Sequence, residues 1–279
     1  TDWNIFGFLR PKKLPSYQLL FNLTQFRHEI DEQGGILDPR LNPNDTTDIW
    51  DYRDENVILD DATSLEKRGG FHIYQQYGLD SIFEVYHAGT YQEQLLRYYD
   101  VYDLTGSDSL LYTTGISGLV QDTIAERTTF RLVENEFGFK GRTKKFAYTL
   151  NYKNRWLRNN IVRTGEESNE VENYIGGTLR QQISRKVFLR ASAELGLQGN
   201  YAVEGNFSSS FFIAEYKRVS RRPSFFERRY SSQQIAWNND FDNQTSDNFH
   251  GELSIRLGDV LIQPFTRFNI ISNYIYLDE

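Results

Sequence analysis

Asn42, Asn44, Asp45, Asp48 and Asp51 place five hard oxygen donors within ten residues, a set whose mutual repulsion Ca²⁺ relieves. Asp45, Asp48 and Asp51 are the candidate ligands. The spacing lacks the Gly at position six and the Glu at twelve of an EF-hand loop. A solvated acidic loop accounts for the same residues, and Ca²⁺ is the alternative. With no cysteine in the chain there are no disulfides or thiolate metal sites, and no other cofactor pattern is present. His28, His72, His87 and His250 are far apart and lack H-E-x-x-H spacing. Ser254 shares a strand phase with His250, but there is no Gly-x-Ser-x-Gly elbow and no distinctive acid partner. The expectation is that the protein is not an enzyme.

A second set of charges follows a different logic. Lys153, Arg155, Arg190, Glu194, Glu252, Arg256 and Arg267 each stand on the polar phase of a segment whose alternate residues are apolar. Successive strand side chains point to opposite faces. If the apolar phase faces lipid, these seven must face a lumen, because Arg or Lys on the lipid side at the bilayer midplane costs roughly 2–4 kcal/mol. A lumen lined by both signs shapes a transverse field and selects solutes by charge and size. Inter-strand salt bridges that plug a closed barrel are the competing account.

The elements that would position them are strands of membrane height. From Val187 to Leu197 every odd residue is apolar, while Arg190, Ser192 and Glu194 lie between. About eleven residues at roughly 3.3 Å each and a 45° tilt rise roughly 25 Å, the height of a lipid-facing barrel band. Phe146, Tyr148, Leu150 and Tyr152 alternate likewise, as do Tyr17, Leu19, Phe21 and Leu23. Thr128 to Lys140 changes phase near its middle, which suggests a bulge. Short turns at Ser184-Arg185-Lys186 and Gly258-Asp259 separate from long polar stretches at Asn159–Asn169 and around Arg221–Asp247. That sequence of lengths suits an up-and-down membrane barrel, with short periplasmic turns and longer outer loops.

Composition agrees. The chain has 18 Tyr and 20 Phe and no run near the roughly 18 apolar residues of a transmembrane helix, and its mean hydropathy of -0.60 fits a chain that gives lipid only alternate residues. Of the net charge of -7, most lies between Asp38 and Asp61, where eight acids face two arginines. The remainder is near neutral, which argues against nucleic acid as a partner. The reading is all-β: an antiparallel up-and-down transmembrane β-barrel of about ten strands. An irregular segment covers 1–15, barrel strands cover 16–279, and a long acidic loop covers about 31–70. No Met is present, so the chain reads as processed or partial, and it ends on Asp278-Glu279 rather than on an aromatic strand end. The chain is therefore expected to cover only part of the full barrel.

Tyr86-His87-Ala88-Gly89-Thr90-Tyr91, Phe137-Gly138-Phe139-Lys140-Gly141 leading into Phe146-Ala147-Tyr148, and Trp237-Asn238-Asn239-Asp240-Phe241 followed by Gly258-Asp259 and Ile271-Ser272-Asn273-Tyr274-Ile275-Tyr276 resemble the putative porin family of Bacteroidetes outer membranes. The resemblance runs from about residue 71 to the end. It implies an outer-membrane β-barrel in a Gram-negative bacterium, with membrane lipid as its surroundings. Two functions follow as expectations: passage of small polar solutes, or a non-conducting barrel subunit or scaffold in an assembly, secretion or uptake complex with other outer-membrane proteins or lipoproteins. A secreted soluble β-sandwich is the third reading and predicts solubility without detergent.

Overall fold

A computed structural model describes residues 2–34, 57–59, 61–101, 123–162, 165–231 and 236–276. In chain order the elements are β1 (Asp2–Leu9), β2 (Tyr17–Asp31), β3 (Thr63–Gly78), β4 (Phe83–Val101), β5 (Thr123–Arg142), β6 (Phe146–Ile161), β7 (Glu166–Ser184), β8 (Val187–Gly196), β9 (Tyr201–Ser208) and β10 (Phe212–Arg221). There follow α1 (Phe225–Arg228), β11 (Arg229–Ser231), β12 (Ala236–Asn238), β13 (Gln244–Leu253), β14 (Ile255–Leu257), β15 (Val260–Ile262) and β16 (Phe265–Ser272). Twelve strands, β1 to β10 with β13 and β16, form one antiparallel up-and-down sheet in chain order, with β1 and β16 as its unpaired edges. No described helix is long and apolar enough to cross a membrane.

Twelve strands replace the expected ten or so, for local reasons. The segment 1–15 is not irregular throughout. Its first part is β1, which pairs with β2 from Asp2↔Phe26 to Leu9↔Leu19. Apolar residues on both its faces (Ile5, Phe6, Phe8, Leu9) hid the period of two. Asn206 to Arg218, one run by pattern, is broken by a turn in which the Ser209 hydroxyl accepts from the N–H groups of Phe211 (3.4 Å) and Phe212 (3.0 Å). Serine makes this turn without the Gly or Asn that would have announced it. The acidic loop is shorter than 31–70, because Thr63 to Gly70 pairs with both β2 and β4. Asn159–Asn169 is likewise no long loop: β6 runs to Ile161 and β7 starts at Glu166.

β4, β5 and β7 have 19, 20 and 19 residues. A twenty-residue strand tilted near 45° rises roughly 45 Å, well beyond a band of about 25 Å. The outward faces record where the band stops. Leu23, Phe71, Tyr91, Val133, Trp156 and Val171 are register partners across β2 to β7. The next outward row, Gln25, Gly69, Glu93, Arg131, Arg158 and Asn169, has no apolar side chain larger than glycine. Aromatic residues at this edge are what an interfacial girdle requires.

The phase change in Thr128–Lys140 is real, but it is not a bulge. β5 keeps an unshifted register against both neighbours, and the irregularity in this sheet lies between Gln182 and Ser184 on β7. Phe137 and Phe139 point outward, while Leu132 and Phe130 point inward along the same straight strand.

Candidate functional site

The inward face is concave. One cavity of about 320 Å³ is lined by residues from Tyr86 on β4 through Lys217 on β10, which only a curved sheet can bring around a single space. Its floor is small. Gly138, Asn151 and Gly176 are register partners on β5, β6 and β7, and Thr149, Thr178 and Ser192 form the neighbouring row on β6, β7 and β8. Gly138 is required by close approach: a Cβ there would lie 2.4 Å from the Tyr86 ring and 2.6 Å from the Leu150 carbonyl oxygen. The bare backbone lets that ring lie along the wall, where its hydroxyl donates to Glu136 at 2.5 Å.

Charged groups around this floor pair along the wall. Lys153 on β6 pairs with Glu194 on β8, and its ammonium stands 4.8 Å from the centroid of the Tyr174 ring. Arg155 lies between Glu134 at 2.8 Å and Glu172 at 3.5 Å. The Lys140 ammonium is 4.7 Å from the rings of both Tyr74 and Tyr86. Cation–π contact and charge-assisted hydrogen bonds satisfy these half-buried bases along the wall.

Six of the seven lumen candidates stand on this concave face: Lys153, Arg155, Arg190, Glu194, Glu252 and Arg267, by register from β6 to β16. Arg190 stands opposite Arg180, and no described carboxylate pairs with it. Glu252 accepts from Gln263 at 3.1 Å and lies 3.9 Å from the imidazole of His250, which is itself the register partner of Arg267. Arg256 departs from the expectation. It lies on β14, in the separate β14–β15 hairpin, opposite Leu261. Pro264 offers no N–H to the ladder here, and the twelve-stranded sheet stops at Glu252↔Phe265. Ser254 accepts from Gln263 at 3.2 Å and is not hydrogen-bonded to His250. Asp45, Asp48 and Asp51 lie outside the described residues, and no group of three or more potential metal ligands stands together among the described ones.

Pattern reading missed Glu134, Glu136, Glu172, Lys140 and Tyr86, although each has the polar phase of its strand. The long connection expected around Arg221–Asp247 is present between β10 and β13, but pattern reading did not show that it folds inward. Ser224 caps α1 in a reciprocal capping box with Glu227. The Arg221 guanidinium holds Glu227 at 3.0 and 3.2 Å. Burial alone would raise the Glu227 carboxyl, but the Ser224 N–H and hydroxyl and the Arg221 guanidinium outweigh it and hold it below the ordinary carboxylate range. Glu170 on β7 binds Arg228 at 2.5 Å and Arg222 at 3.7 Å. Asn200 accepts from the Arg222 N–H at 3.0 Å. Phe225 is only 8% exposed, and a cavity beside it is lined by Phe130 and Leu157. The inward apolar residues of β5 and β6 thus face a loop rather than open water.

A family described as "Putative porin" matches residues 13–279, well beyond the expected start near residue 71. No curated protein matches the sequence. Among solved structures, the siderophore receptor PirA from Acinetobacter baumannii is similar at a TM-score of 0.61 and 11% identity, over 98% of this chain and 43% of that one. BauA, the ferric preacinetobactin receptor from the same organism, aligns at a TM-score of 0.46 and 9% identity, over 92% of this chain and 44% of that one. The chain therefore spans less than half the length of these receptors.

Proposed function

The chain belongs to the family described as "Putative porin" and is a bacterial outer-membrane β-barrel protein, and from that premise we propose that its concave face lines a passage for small polar solutes. The observation that carries this reading is the small-residue floor at Thr149, Asn151, Gly176, Thr178 and Ser192, walled by acids and bases that neutralise one another sideways. Charges paired along the wall leave the space in front of them open to water. They also supply fixed dipoles against which a hydrated polar solute exchanges hydrogen bonds. The inward loop narrows the same space at the end opposite the short turns, so width and charge are set by different parts of the chain. Passage through such a trough needs no catalytic group.

Planar bilayers provide the test. Reproducible open steps are expected, with a cation-to-anion preference that changes when Lys153 and Glu194 are both made Gln. A silent protein that co-purifies with other outer-membrane proteins would overturn passage in favour of a scaffold barrel.

A further inference from the structure

Above the apolar band, the concave face of β2 to β5 and the tip of the inward loop enclose a pocket of about 500 Å³, within the roughly 300–1,000 Å³ range of small-ligand sites. One wall is aromatic. Tyr230 and Trp237 face each other across the β11–β12 pair with ring centroids 4.7 Å apart and planes 28° from parallel. The indole N–H donates to the Phe226 carbonyl oxygen at 3.0 Å, which fixes the ring before any ligand arrives. Opposite lies a row of register partners, His28, Glu66, Leu96 and Thr128, with Ser64 two residues before Glu66 on β3. Strands are about 4.8 Å apart, so this floor offers polar groups at fixed intervals.

Much of its hydrogen-bonding capacity is unspent. The side chains of His28, Ser64 and Thr128 have no hydrogen-bond partner among the described residues. Glu66 accepts from Gln94 at 2.7 Å and is paired with Arg68. Arg97 turns to the outer face, where it lies 3.8 Å from Glu29. Glu66 and Glu126 are the carboxylates lining the pocket, and both are engaged, Glu66 by Gln94 and Arg68 and Glu126 by the Tyr230 hydroxyl at 3.5 Å, which favours a neutral hydroxylated ligand over an anion. A purely apolar ligand would strip water from hydroxyls and a carboxylate and give nothing back. A molecule with a flat C–H face and a rim of hydroxyls satisfies both sides, stacking on the face of the Tyr230–Trp237 pair that the rings do not turn to each other while its rim exchanges hydrogen bonds with the floor.

We propose that this pocket is a recognition site for a neutral sugar of one or two rings. It goes beyond solute passage, because it holds whether or not the lumen conducts.

The experiment titrates maltose, cellobiose, N,N′-diacetylchitobiose and, as the apolar comparator, p-cresol into the full chain. The protein is held in a detergent without a sugar headgroup and binding is read by calorimetry. Saturable binding of at least one disaccharide is expected, weakened about tenfold or more by Trp237→Ala. Because that variant also loosens the loop, Thr128→Val and Ser64→Ala serve as the second pair. They leave the loop anchors untouched, and are expected to weaken binding several-fold with the loop's protease resistance unchanged. No saturable binding of any disaccharide, preference for p-cresol, or affinity that survives all three substitutions would overturn the proposal. Binding is measured without conductance, so its failure and a silent channel are separate results.

Discussion

The lower and upper stretches of the same strands are inside-out relative to each other. In the lower stretch Leu150, Ile175 and Leu195 point outward at 57, 58 and 56% exposure, and the inward partners are Asn151, Gly176 and Glu194. In the upper stretch Arg131 and Arg158 point outward, while Leu132, Leu157 and Ile161 point inward. β4 does the same, with Glu93 and Arg97 outside and Leu96 and Tyr98 inside. The backbone is continuous through the change, so solvent decides which face is apolar. Lipid outside and water inside favour one arrangement; water outside and a folded loop inside favour the reverse.

The largest test of that inversion is a matched pair of outward substitutions. Leu150→Arg in the band is expected to cost about 2–4 kcal/mol, whereas Thr129→Arg above it is expected to cost nearly nothing. Urea titration of heat-modifiable gel mobility reads both, and equal effects would break the comparison. Next is the packing that the upper interior shares with the loop. Phe225→Ala removes a buried ring at about 3 kcal/mol, and the 222–243 segment should become cleavable by added protease while the sheet stays folded. Glu170→Gln, which releases Arg228 and Arg222, is expected to loosen the same segment by about 1–2 kcal/mol.

Acidification acts in the same place. The Glu227 carboxyl has a lower pKa folded than unfolded. Its contribution is present above the ordinary carboxylate pKa and is lost as pH falls through the folded value. Cleavage of the loop should therefore rise only below about pH 4, and Glu227→Gln should reduce that dependence, with Glu170 beneath Arg228 and Arg222 carrying the remainder. The smallest effect is reserved for the outer collar: Arg158→Ala, which breaks an exposed pair with Glu167 at 3.0 Å, should stay within about 0.5 kcal/mol.

What the sequence disclosed depends on the surroundings of each stretch. Phe146 to Tyr152 and Val187 to Leu195 were legible because one face meets lipid without interruption, so a period of two is enforced at each step. Asn160 and Glu167 sit above the band with polar neighbours on the outer face, and a strand there looks like a loop. Phe130 and Leu132 announced a departure that pattern alone could assign only to a bulge. The loop at Phe225 and Phe226, which lines one cavity with Phe130, lies more than ninety residues away along the chain. At the site, the polar phase of Lys153, Arg155 and Glu194 was readable. That Lys153 meets Glu194 across an intervening strand was not, because it depends on curvature and on the registers of β6 with β7 and of β7 with β8. Arg256 fails for a related reason: phase counting assumes an unbroken ladder, and Pro264 interrupts it.

Every strand of the sheet pairs with its neighbour in the order of the chain, so the sheet can grow strand by strand at an existing edge, often across turns of a few residues. The inward loop obeys a different clock. Its Tyr230 meets Glu126 from a distance of 104 residues, and the surface it lands on does not exist until β2 to β5 are paired. Docking therefore waits on the pairing of β2 to β5, and undocking is an opening that leaves those strands paired.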